Sequence, residues 1–90
     1  MKVSSGIGNA VSLEEFVDSE LSTTLTFLVS AREDRHSGNV TAANRSELSA
    51  HRAYQGALYL FRVLRPSICQ TGARRLALKI KEIGNAMPVG

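Results

Sequence analysis

Apolar side chains begin to recur at helical spacing at Leu13 and continue through Phe16, Val17, Leu21, Leu25, Leu28 and Val29. Intervals of three and four residues place them on one face of a 3.6-residue repeat, predicting a first helix over 13–35. Ser12-Leu13-Glu14-Glu15 fits a capping box at its start, and Glu14 and Glu15 suit the positive end of the helix dipole. The stretch Thr23-Thr24-Leu25-Thr26-Phe27-Leu28-Val29 is rich in β-branched residues and favours a strand on propensity alone. Because the helical stripe runs unbroken on both sides of it, helix is the better reading. Ser37-Gly38-Asn39 then supplies a stop, with Gly38 suited to a left-handed cap.

The next periodic segment carries Ala50, Tyr54, Ala57, Phe61 and Leu64 at alternating intervals of four and three, a heptad pattern. The helix starts at Thr41 or Asn44, and Asn44 is preferred because Asn44-Arg45-Ser46-Glu47 repeats the cap signature. Arg65-Pro66 ends the helix, because proline lacks an amide proton and disfavours helix in the residue before it. Ala53, Leu60 and Val63 add a second apolar flank, so this helix, 44–64, is expected to touch more than one neighbour. A third helix is predicted over 72–83, capped by Thr71, with the stripe Ala73, Leu76, Ile80, Ile83 and Met87. Gly84-Asn85 then suits a left-handed ending before Pro88.

The pattern therefore predicts an all-α fold: a long antiparallel helical hairpin plus a shorter third helix, in a single domain over residues 12–90. Residues 1–11 show no periodicity and read as a flexible or partner-ordered arm, in which Ile7 and Val11 are the apolar anchors. The tetrapeptide Ile-Gly-Asn-Ala occurs at Ile7 and again at Ile83. The two copies do not share a stripe, so they are read as coincidence rather than as a repeat.

Length changes this picture in one respect. A chain of 90 residues buries only ~60–65% of the surface its unfolded form exposes, which leaves a thin margin of stability. Cys69 is the single cysteine, and only His36 and His51 accompany it, so neither a disulfide nor a dedicated zinc site is expected. No cofactor is expected either. Self-association is the remaining route to a larger core, and a homodimeric bundle is predicted. The stripe that forms the core or the dimer seam is drawn from Leu21, Leu25, Leu28, Tyr54, Phe61, Leu64, Leu76, Ile80 and Ile83. The lone cysteine and the absence of an export signal or membrane-length apolar run point to a cytoplasmic, non-membrane protein.

Charge is divided along the chain. Residues 1–40 hold three basic and six acidic side chains, whereas residues 41–90 hold eight basic and two acidic ones. The acidic part is expected to pack beside the basic part, within one chain or across a dimer.

Three groups of residues are candidates for function. Arg52, Gln55, Tyr59 and Arg62 lie at intervals of three, four and three on the second helix, so they share a face that can hold an anionic group. Arg65, Arg74, Arg75, Lys79 and Lys81 form a basic patch in the last part of the chain. Glu47–His51 is a one-turn pair and Cys69 lies near Arg65 and Arg74, but neither completes a catalytic constellation. The leading expectation is therefore a small regulatory or adaptor protein, such as an inhibitor, antiactivator or chaperone-like module, acting through a protein partner. A nucleic-acid-associated protein using its basic half comes second. A small helical enzyme with an arginine-rich pocket between subunits comes third.

Overall fold

The structure, a computed structural model, describes residues 13–87. The expected arm at 1–11, the Ser12 cap and Pro88 lie outside the described residues. Three α-helices follow one another: α1 (Leu13–His36), α2 (Val40–Leu64) and, after a 3-10 turn at Arg65–Ser67, α3 (Gln70–Ala86). No strand occurs among the described residues. The threonine-rich stretch is helical, and its hydroxyls show how. Thr23 Oγ1 donates to Ser19 O, Thr24 Oγ1 to Glu20 O and Thr26 Oγ1 to Ser22 O, at 3.0, 2.9 and 3.1 Å. Each thus bonds back one turn to its own helix, which allows Thr24 to be fully buried without an orphaned polar atom.

The turn between α1 and α2 differs from the expected one. Gly38 adopts φ +84°, as foreseen. Gly38 N donates to Arg35 O at 3.2 Å and Asn39 N to Asp34 O at 2.8 Å, the paired bonds of a Schellman ending. That ending also puts the Asn39 side chain in position to accept from Ala42 N at 3.1 Å. Asn39 therefore closes one helix and caps the next, so α2 starts at Val40 rather than at Asn44. The tertiary turn outranks the cap signature further along.

α1 and α2 pack antiparallel along nearly their whole lengths. The seam repeats every three and four residues on α1, through Val17, Leu21, Thr24, Leu28 and Ala31. On α2 its innermost positions are Ala43, Ala50 and Ala57, one per heptad and each fully buried. Small side chains at every seventh position let the two backbones approach closely. Tyr54, Leu60, Phe61 and Leu64 pack around this line and are half-buried.

α3 runs parallel to α1 and lies chiefly on it, touching α2 least. Leu76 and Ile83 enter the core, with Ile80 packed against it. α3 starts at Gln70 and not Gly72, because Cys69, not Thr71, is the cap: Cys69 Sγ accepts from Gly72 N at 3.4 Å. It also continues through Gly84 to Ala86, so the expected left-handed ending at Gly84-Asn85 does not form. Leu25 does not belong to the core of the chain, since it is 39% exposed. The molecule measures 51 × 27 × 16 Å with a radius of gyration of 15.6 Å, against about 12 Å for a compact chain of this length. It is a thin, elongated slab.

Candidate functional site

The two ends of α3 are fixed by features that helical periodicity does not encode. Tyr54 Oη on α2 donates to Ile80 O on α3 at 3.0 Å. A Cβ at Gly84 would stand 2.5 Å from that hydroxyl, so the glycine is what admits the tyrosine. At the other end the Glu14 carboxylate lies over the buried Gly72, in the space that any side chain there would fill. Glu14 also pairs with Arg75, and Asp18 pairs with Lys79. The expected attraction between the acidic and basic parts of the sequence is thus made within one chain, along the α1–α3 seam.

Because α3 leans on α1, a crease opens between α3 and the last two turns of α2. It is a groove of about 830 Å³. Leu58, Phe61 and Ile68 form its half-buried floor, with the buried Ala73 on the α3 side. Arg62, Arg65, Pro66 and Gln70 are exposed along its edge. The kinked connection creates it: Pro66 ends α2, and the Arg65–Ser67 turn carries the chain sideways before Cys69 starts α3. The Arg65 guanidinium lies 5.8 Å from the centroid of the Phe61 ring, a cation–π contact that holds the charge beside the apolar floor. Among the described residues, no acidic side chain lines the groove. Its chemistry is therefore an apolar trough with guanidinium donors on one side.

Two smaller depressions have different origins. One of about 290 Å³ sits at the hairpin end, where Leu28, Arg32, His36 and Ala86 are among the lining residues. It exists because α3 has 17 residues while α1 and α2 have 24 and 25. There Arg35 pairs with Glu47, which is thereby directed to α1 rather than to His51. The other, of about 300 Å³, follows the ion pairs between α1 and α3.

The structure separates the residues that the sequence grouped. Arg52, Gln55 and Tyr59 are exposed on the outward side of α2, and Arg62 alone of that stripe reaches the groove. Tyr59 is 65% exposed, and Leu48 and Val63 are exposed on the same side. The basic patch is not gathered into one surface. Arg75 and Lys79 are engaged with Glu14 and Asp18, Arg65 joins the groove, and Arg74 and Lys81 are exposed elsewhere on α3. Sequence reasoning missed the groove residues Leu58, Pro66, Ile68 and Gln70. The available signal was an apolar Ile68 in the short connection, just after Arg65 and Pro66.

Cys69 is exposed, and its thiol lies 3.8 Å from Glu14 Oε1. Among the described residues no cluster of three or more His, Cys, Asp or Glu side chains has the arrangement of a metal site. No helix among them is long and apolar enough to cross a membrane. Comparison with protein-family models, with curated proteins and with solved structures gave no match.

Proposed function

We propose that the chain is a small helical adaptor or regulator that acts by binding another protein, and that the α2–α3 groove is where it does so. The observation that supports this reading is the composition of the groove: an apolar floor of Leu58, Phe61 and Ile68 left accessible beside Arg62 and Arg65. Accessible apolar surface bordered by arginine is the make-up of protein-binding hot spots. With the groove on this chain, the partner supplies the element that fills it.

The test is capture of partners from nuclease-treated host extract on the full chain and on a Leu58→Asp variant, with an Arg52→Ala, Tyr59→Ala variant as the control. Bound proteins lost with the first and kept with the second support the groove. Equal capture by all three refutes it. Loss of all capture on nuclease treatment favours the nucleic-acid reading, for which the exposed Arg74 and Lys81 are the starting point.

Self-association is part of the same proposal and rests on a different observation. Phe16, Leu25, Val29 and Leu78 are 50, 39, 50 and 59% exposed, outside the groove, in a chain whose own core is thin. Light scattering across the micromolar range is expected to give the mass of a dimer. A monomer that unfolds cooperatively at the same concentrations rules it out.

A further inference from the structure

We infer that the occupant of the α2–α3 groove is an acidic amphipathic helix of another protein, an inference that rests on the adaptor reading above. Its dimensions suit a helix. The α2 wall runs from position 58 to position 65, which is two turns or about 10 Å. That length accepts apolar anchors at i, i+3 or i+4, and i+7 of a helix laid in the crease. On the opposite wall Ala73 is small and buried, so a partner's leucine can reach the floor at Phe61 and Ile68 without a clash.

The charge of the groove selects the partner. Arg62 and Arg65 stand on the same edge, and among the described residues no carboxylate lines the groove to meet them. Glu14, Asp18 and Glu47 are committed to Arg75, Lys79 and Arg35. The cation–π contact with Phe61 keeps the exposed Arg65 guanidinium, with its several N–H donors, beside the apolar floor. A carboxylate one turn away from the apolar anchors therefore completes both halves of the site.

The pairing of an apolar floor with guanidinium charge disfavours other occupants. A second copy docked groove to groove about a two-fold axis would set Arg62 and Arg65 against the partner copy's identical cations. Residues 1–12 of this chain contain Lys2 and no acidic side chain, so they offer nothing to the arginines. A nucleic-acid backbone would use the guanidiniums but leave the apolar floor unmatched.

The experiment uses two labelled synthetic peptides. Both are amphipathic helices with leucines at heptad spacing, one flanked by glutamates and the other by lysines. Anisotropy titrations against the full chain are expected to favour the glutamate peptide by roughly tenfold or more. In an Arg62→Glu, Arg65→Glu variant the preference is expected to reverse toward the lysine peptide. That outcome cannot come from misfolding, and a helical circular dichroism spectrum accompanies it.

Equal affinity for the two peptides, no binding of either, or an unchanged preference in the variant overturns the inference. It also fails if a single-stranded oligonucleotide displaces the glutamate peptide. Two further results would identify a different occupant and overturn it as well. One is a large gain in peptide affinity in an Ile7→Asp, Val11→Asp variant, which would mean that the chain's own leading segment fills the groove. The other is a change of molecular mass in the arginine variant, which would mean that a second copy does. If extract capture depends on Leu58 but the glutamate peptide does not bind, the partner class is wrong and the adaptor reading stands. If capture is independent of Leu58, the groove is not the binding surface and the inference loses its site.

Discussion

The α1–α2 hairpin and the attachment of α3 are two ways of joining helices in one small chain. The hairpin is periodic: Val17, Leu21, Thr24, Leu28 and Ala31 face Ala43, Ala50 and Ala57 over its whole length. α3 is held by Leu76 and Ile83 together with individual contacts, namely Tyr54 to Ile80 O, Glu14 over Gly72 and two ion pairs exposed on one or both sides. A periodic seam spreads its stability over many equivalent positions. A pinned helix concentrates it in a few, and the space that those pins leave open is the groove. The hairpin is thus the scaffold, and α3 is the element whose placement creates a surface for binding.

That contrast can be broken at four levels. The largest effect is expected in the hairpin. Leu21 is fully buried, so Leu21→Ala should cost about 2–5 kcal/mol. For a domain of this size that removes most of the stability, and urea melts followed by circular dichroism should show loss of all helical signal together. If α3 melts separately while α1 and α2 persist, the hairpin is not the common support.

Next in size is Ala50→Leu, which would force extra methylenes between two closely approaching backbones at about 1–3 kcal/mol. A neutral result would show that the alanine line does not set the helix separation.

The third test inverts a sign. Gly→Ala inside a helix normally gains up to about 1 kcal/mol. Gly56 should follow that rule, because its nearest neighbour, Glu20 Oε1, would be at 3.4 Å from the added Cβ. Gly84→Ala should instead be destabilising by about 1 kcal/mol, since it displaces the Tyr54 hydroxyl from Ile80 O and leaves that ring to find another position. In a Tyr54→Phe background the obstacle is gone and Gly84→Ala should become stabilising, a coupling that a double-mutant cycle measures. Additivity would show that the glycine and the tyrosine act independently.

The smallest effect is expected at the ion pairs. Arg75 is 69% exposed and the Asp18 side chain is 49% exposed, so each pair contributes no more than about 1 kcal/mol and loses most of that in high salt. Arg75→Ala and Lys79→Ala should therefore lower the melting temperature slightly at low ionic strength and hardly at all in molar salt. A large, salt-independent loss would mean that these side chains hold α3 through their stems rather than their charges.

Much of the hairpin was legible in the sequence because its determinants are local and repeat. The three-and-four spacing from Leu13 to Val29, the heptads from Ala50 to Leu64, Gly38 at the turn and Pro66 at the stop each specify backbone within a few residues. The errors came where a distant or competing partner decided. Asn44 has a good cap signature, but Asn39 was already placed by the ending of α1. Gly84 looked like a terminator, but it accommodates a tyrosine thirty residues earlier in the chain. Leu25 fits the stripe, but it lies on the flank that α3 and α2 leave uncovered. The candidate site was legible only in part. Arg62 and Arg65 were singled out for their charge, while Leu58, Ile68 and Ala73 acquire meaning only when α3 turns away from α2.

By itself, the amino-acid sequence determined three amphipathic helices, the reversal at Gly38, the break at Pro66 and the attraction of an acidic first helix for a basic last one. Those are consequences of short-range sterics, periodic burial and net charge. The tertiary structure alone decided on which side of the hairpin α3 lies, which of the cations are consumed in ion pairs and which remain at the groove. The reason is that two glycines and their distant partners, Glu14 and Tyr54, fix α3 by close approach across the fold. No spacing along the chain records such an approach.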